Sequence, residues 1–190
     1  MVNSIRVAFC LCLMLCGSST LAADPWPVQD TTKSGSDAQV ILFFGDSLTA
    51  GYGLDPAQAF PALIQEKINT RGWNFHATNA GLRGLPVEGA KQNLQAIIDR
   101  TKSKYPAVKV VLVGMQVPSN LGRDYTTHFR AIFPDLAAAN STALIPFLLD
   151  GVGGVPALNL PDGIHPTPAG HKIVAENVWK VLELVLRTMQ

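Results

Sequence analysis

The stretch Val40–Leu54, VILFFGDSLTAGYGL, opens as a run of β-branched and aromatic residues and closes in a glycine-rich turn. An uninterrupted apolar run that ends on turn residues is the pattern of a strand buried on both faces, as in the interior of a parallel sheet. Beyond that strand the chain alternates between helix and strand. Asp55-Pro56 opens a helix expected to reach about Arg71, with Phe60, Leu63, Ile64 and Ile68 on one face. WNFHATNA (73–80) is a second strand, GLRGLP (81–86) a loop, and Val87 to Lys102 a helix with Leu94, Ile97 and Ile98 turned inward. AVKVVLVGM (107–115) is a third strand, Tyr125 to Ala139 a helix, and TALIPFLL (142–149) a fourth strand. A Gly/Pro-rich loop spans Asp150 to Pro166. The last helix is expected over Pro168 to Arg187, with Thr167 as its N-cap and Pro168 in its first turn. Alternation of this kind predicts an α/β fold: a doubly wound parallel sheet with helices on both faces. Ligands of such sheets bind beyond the carboxyl ends of the strands, where Ser47 and the loops around Gly81, Gln116 and Asp162 all fall.

The chain has 190 residues, enough for one domain with a sizeable core, and 47% of them are apolar against 15% charged, which excludes disorder. A net charge of +1 gives no basic face, so nucleic acid is not an expected partner. Residues 1–23 have the layout of a secretory signal peptide: Arg6, an apolar run from Val7 to Cys16 that is short for a membrane span, then small residues ending at Ala22 and Ala23. Residues 24–37 are polar, carry two prolines and read as a linker, which leaves 38–190 as the folded domain. The expected destination is periplasmic or secreted, with no stable membrane insertion once the signal is removed. All three cysteines (Cys10, Cys12 and Cys16) lie in the targeting segment, so the remaining chain offers no disulfide, thiol chemistry or cysteine metal site.

Gly45-Asp46-Ser47-Leu48 places a hydroxyl at a strand–turn–helix corner. There it either caps the turn or serves as a nucleophile with helix-start N–H groups facing a developing oxyanion. LPDGIHPTPAGH (160–171) holds Asp162 and His165 three residues apart between Pro161 and Pro166. A serine hydroxyl needs a base to take its proton, and the base needs a third group to fix its tautomer and stabilise the imidazolium. His76, His128 and His171 lack such a partner pattern and read as structural or solvated.

Taken together, FFGDSLTAGYGL (43–54) and LPDGIHPTPAGHKIVAENVW (160–179) resemble the first and last blocks of the SGNH (GDSL) hydrolases, in particular the periplasmic arylesterase, thioesterase I and lysophospholipase L1 group. GLRGLPVEGAKQNLQAIID (81–99) and VVLVGMQVPSNLGRDYTTHFRAIF (110–133) resemble its middle, so the likeness runs from about Ala38 to Leu186. The resemblance implies a flavodoxin-like three-layer α/β/α fold, Ser47 as nucleophile, His165 as base and Asp162 as its orienter. It further implies small-molecule or lipid esters and thioesters as substrates, with no metal and no cofactor. It also exposes a gap. The family's Gly-x-Asn-Asp segment, which ends a further strand and completes the oxyanion hole, is absent, and HATNA runs directly into GLRGLPVEG. An internal deletion of roughly 30 residues, about one strand–helix unit, accounts for this and for a count of four strands where the family has five. The oxyanion hole is then expected to rest on the Ser47 backbone N–H and, by the spacing of NAGLRG, on Gly84; Asn79, Asn93 and Asn120 do not recommend themselves as replacements. The expectation is a serine esterase or thioesterase impaired in rate. The alternative is a non-catalytic acyl-binding relative or a truncated product.

Overall fold

The computed structural model of the chain describes residues 5–10, 38–81, 89–117 and 122–190. One sheet of five strands is built from β1 (Ile5–Cys10), β2 (Gln39–Gly45), β3 (Phe75–Gly81), β4 (Lys109–Val113) and β5 (Ala143–Ile145), in the order β3-β2-β1-β4-β5. Every pairing is parallel. Parallel neighbours require crossover connections. These include α2 (Phe60–Thr70), α3 (Ala90–Lys104) and α4 (Arg123–Asn140), while α5 (Pro168–Arg187) closes the chain. Helices α2 and α5 pack together on one face, α3 and α4 on the other, giving the expected three layers.

The strand count is corrected by one. Ile5–Cys10, read from the sequence as part of a targeting segment, lies as a strand between β2 and β4, with Phe9 in register with Phe43 on one side and Val111 on the other. The physical reason is that IRVAFC combines β-branched and aromatic residues. A run apolar enough for a leader is equally a run that suits a strand paired on both sides. Strands β2 and β4 each present backbone donors and acceptors toward that position, and those groups must be satisfied. The rest of the expected targeting segment and linker, residues 1–4 and 11–37, lies outside the described residues.

Two other boundaries differ from expectation, each at a proline. The helix expected from Asp55 is divided: a short 3-10 turn at Pro56–Gln58 is followed by extended Ala59 (φ −70°, ψ 145°), and α2 starts at Phe60 with Pro61 in its first turn. Proline is tolerated there because first-turn N–H groups have no helical acceptor. Strand β5 stops at Ile145 because Pro146 has no N–H to continue the ladder.

The core follows from the strand and helix patterns. Ile41 and Phe43 of β2 and Val111 and Leu112 of β4 are fully buried. Beneath them α5 lays down Val174, Val178, Leu182 and Leu186 at helical spacing, all buried. The α2 stripe of Phe60, Ile64 and Ile68 meets it, and Trp73 and Trp179 close the far end with ring centroids 5.9 Å apart. On the other face α3 contributes Leu94 and Ile98, and α4 contributes Phe129 and Phe133, packed edge to face at 5.6 Å. The carboxyl ends of β2, β3 and β4 are thereby held in a rigid row.

Candidate active site

Strand β2 delivers its last residue, Gly45, directly into a one-turn helix α1 (Ser47–Ala50). Asp46 caps that helix: its Oδ1 accepts the Leu48 N–H at 2.9 Å, and its backbone carbonyl accepts the Ala50 N–H at 3.0 Å. Capping by a buried carboxylate satisfies an orphan helix donor, but burial also pushes the Asp46 carboxyl up to about 6 against several backbone hydrogen bonds that favour its ionised form. Gly51 ends the helix in the left-handed region (φ 74°), and a Cβ there would stand 2.6 Å from the Ala59 Cβ. Glycine is therefore required on two counts, conformation and space. The result is a tight corner with Ser47 at its apex.

The loop between β5 and α5 brings the second half of the site. Asn159 is buried and donates from Nδ2 to the carbonyls of Val152 (2.7 Å) and Val155 (2.8 Å), tying the loop to itself. The Leu160 N–H donates to the His165 carbonyl and the Thr167 N–H to the Leu158 carbonyl, so 158–167 forms a closed bend. Within it Asp162 Oδ1 accepts the N–H groups of Ile164 (2.8 Å) and His165 (3.0 Å), while Oδ2 lies 2.7 Å from His165 Nδ1. These bonds, the two backbone ones foremost, hold the Asp162 carboxyl down at about 2. It is ionised at neutral pH and can only accept, which assigns the proton to Nδ1 of His165. Nε2 then presents its lone pair to the Ser47 hydroxyl, 2.9 Å away across 118 residues of sequence.

Ser47, His165 and Asp162, singled out in the sequence, are thus brought together. The other candidates are not. Gly84 and Asn120 lie outside the described residues. Asn79 donates its amide to the Thr49 carbonyl at 2.9 Å, and Asn93 is an exposed residue of α3. His128 is exposed on α4, and His76 stands in β3 opposite Val40. His171 is buried, and its Nδ1 accepts the Phe60 N–H at 3.2 Å. Burial first, and the charge of His165 second, push its imidazole down to about 4, so it stays neutral as a structural acceptor.

Sequence reasoning missed Tyr52 and Asn159. The Tyr52 ring lies against the His165 imidazole, centroids 4.6 Å apart and planes inclined at 36°. Tyr52 sits inside the motif that pointed to Ser47, five residues on, but only the left-handed turn at Gly51 shows that its ring returns toward the imidazole. Asn159 is an isolated amide in a loop and has no pattern to betray it.

A hydroxyl, an imidazole and a carboxylate linked in series beyond the carboxyl ends of a parallel sheet define the class: an α/β serine hydrolase. Residues 75–173 match the model of the GDSL-like Lipase/Acylhydrolase family. The chain is 32% identical over 183 residues to the esterase TesA of Pseudomonas aeruginosa (strain PAO1), covering 78% of this chain and 90% of that one. It is 28% identical over 183 residues to thioesterase 1/protease 1/lysophospholipase L1 of Escherichia coli K12, covering 80% and 87%. The crystal structure of TesA superposes with a TM-score of 0.64 at 31% identity, covering 75% of this chain and 97% of that one. This chain therefore belongs to the GDSL (SGNH) lipase/acylhydrolase family and is a serine carboxylic ester hydrolase by class. Among the described residues, no helix is long and apolar enough to cross a membrane.

Proposed function

We propose that Ser47 is the nucleophile of an esterase or thioesterase, with His165 as general base and Asp162 as its orienting carboxylate. The observation that carries this reading is the unbroken series from Ser47 Oγ to His165 Nε2 (2.9 Å) and from His165 Nδ1 to Asp162 Oδ2 (2.7 Å). His165 takes the hydroxyl proton as Ser47 Oγ attacks the acyl carbonyl. The tetrahedral intermediate collapses as His165 returns that proton to the leaving oxygen or sulfur. A water, deprotonated by the same imidazole, then hydrolyses the acyl-enzyme. The substrates are carboxylic esters or thioesters, small or lipid-borne; no metal or cofactor enters the scheme.

The oxyanion hole is the weak part of this machine. Ser47 opens α1, where a backbone N–H has no acceptor within its own helix, and Gly84 is the proposed second donor. The sequence holds no Gly-x-Asn-Asp segment. Two findings support the reading of an internal deletion. The alignment with the Pseudomonas esterase has more positions than this chain has residues in it. The strands from residue 39 onward also follow the flavodoxin-like order 2-1-3-4-5 with its third place taken by Ile5–Cys10. Loss of one donor lowers turnover by about 10²–10³, so hydrolysis is expected to be slow. We further propose that residues 1–23 direct the chain to the periplasm or outside the cell. Processing after Ala22 or Ala23 removes β1, so the processed chain and the five-stranded sheet are alternatives.

The test is hydrolysis of p-nitrophenyl butyrate by the full chain beside Ser47→Ala. Turnover that disappears with the substitution is the expected result. Equal background rates from both proteins leave the second reading, an acyl-binding relative without turnover, which the missing Gly-x-Asn-Asp segment favours.

A further inference from the structure

The proposed mechanism uses both nitrogens of His165 and leaves the neighbour on its face without a task. Tyr52 is half exposed, with 50% of its surface open to solvent, although a large aromatic ring gains most by burial. Its position is nonetheless fixed. The Tyr52 N–H donates to the Ser47 carbonyl at 3.0 Å, which fixes its backbone, and the ring lies against His165 with centroids 4.6 Å apart. Gly51 (φ 74°) and Gly53 (φ 79°) flank it in left-handed conformations, and a Cβ on Gly53 would stand 2.9 Å from Leu160 Cδ1. The turn is thus pressed against the loop that carries Asp162 and His165. An apolar ring held at a fixed place, exposed on one side and laid against the general base on the other, is built to receive something flat.

The chemistry says what that is. When the tetrahedral intermediate collapses, the bond between the carbonyl carbon and the leaving oxygen breaks. Its electron pair stays on that oxygen, the proton on His165 Nε2 passes to it, and the carbonyl re-forms on the Ser47 ester. The leaving oxygen must then lie roughly 2.6–3.2 Å from Nε2. A ring bonded directly to that oxygen emerges beside the imidazole whose face Tyr52 covers, and aromatic rings attract at centroid separations of roughly 4.5–7 Å. An alkyl group at the same place gains burial against the ring but not the additional attraction of an aromatic pair.

We propose that Tyr52 selects the leaving group: its ring is the platform on which an aromatic alcohol stacks as it departs, which favours aryl over alkyl esters of the same acid. The proposal rests on the reading of Ser47 as nucleophile and His165 as base.

It is tested in two arms. In the first, kcat/KM is measured on phenyl butyrate and trifluoroethyl butyrate for the wild-type chain, Tyr52→Ala and Tyr52→Phe. Tyr52→Ala is expected to lower the aryl-to-alkyl ratio by roughly 3- to 10-fold, the range of one aromatic pair, while Tyr52→Phe keeps the ratio because the platform is the ring and not the hydroxyl. An equal loss on both esters makes Tyr52 a support for His165 alone and overturns the proposal, as does an unchanged ratio. In the second arm, 4-nitrophenol and cyclohexanol are titrated into the Ser47→Ala chain with and without Tyr52→Ala, followed by NMR. The 4-nitrophenol Kd is expected to rise roughly 3- to 10-fold more than that of cyclohexanol; an equal change in both, or none in either, overturns the platform. Because this arm needs no turnover, it decides the role of Tyr52 even where the first shows no Ser47-dependent hydrolysis, an outcome that counts against the nucleophile assignment instead. A thermal melt of each variant confirms that the turn has not unfolded.

Discussion

Asp46 and His171 are two buried titratable side chains beside the site, and burial acts on them with opposite sign. The His171 imidazole falls from 6.5 to about 4, so between those values the unfolded chain takes up a proton that the folded chain refuses, and stability drops as pH falls. The Asp46 carboxyl rises from 3.8 to about 6, so between those values the folded chain keeps a proton that the unfolded chain releases, and stability drops as pH rises. Each effect is on the order of 2–3 kcal/mol, and over about pH 4–6 they offset each other. Asp46→Asn, which keeps an N-cap oxygen, is expected to expose the histidine effect: urea denaturation should show a chain losing stability from about pH 6.5 down to about 4. His171→Gln should show the reverse slope. A flat profile in both variants contradicts these roles for burial. Asp162 is different, because it is held ionised at about 2 by hydrogen bonds at a partly open position. On the proposed mechanism its loss is a catalytic matter. Asp162→Asn removes the acceptor that fixes the His165 tautomer and should cost roughly 10³–10⁴ in kcat with little change in melting temperature. The three side chains that the fold brings into series were legible in the sequence because motif and spacing announce them; Tyr52 was not, because ring stacking leaves no spacing of its own.

The loop 150–166 presents two of those residues, and Asn159 is one of the side chains that tie it together. Its amide bridges Val152 and Val155, and its Oδ1 has no hydrogen-bond partner among the described residues. Asn159→Ala removes two hydrogen bonds from carbonyls that keep only the Val155 and Leu158 N–H groups, at about 1–3 kcal/mol, and loosens the bend from which His165 reaches Ser47. The expected result is a lower melting temperature together with a kcat reduced about ten- to a hundredfold, since small displacements of a base cost rate steeply. An unchanged kcat in a folded variant shows that Asn159 does not hold the base. At this scale the regular elements were readable from periodicity: the stripes on α2 and α5 fall where the sequence places them. Their ends were less so. Pro61 restarted a helix and Pro146 cut a strand short, since a missing N–H acts on one hydrogen bond and leaves the surrounding hydrophobic pattern intact.

At the scale of the molecule, the sheet depends on a strand that sequence patterning assigns elsewhere. Hydropathy cannot tell a leader's apolar run from an interior strand; what the strand adds is satisfaction of the backbone groups that β2 and β4 turn toward it. A chain beginning at Asp24 lacks β1, leaves those two strands without their shared partner, and is expected to lose the cooperative thermal transition of the full chain. An equally sharp melt at the same temperature contradicts a structural role for Ile5–Cys10. The site itself rests on long-range closure, since the corner after β2 must meet the bend before α5. Covalent trapping tests that meeting most directly. The full chain is treated with a p-nitrophenyl alkylphosphonate and its peptides are mapped by mass spectrometry. The adduct is expected on Ser47, absent from Ser47→Ala and formed far more slowly in His165→Ala. Modification at another residue, or labelling of Ser47 at the same rate without His165, contradicts the account.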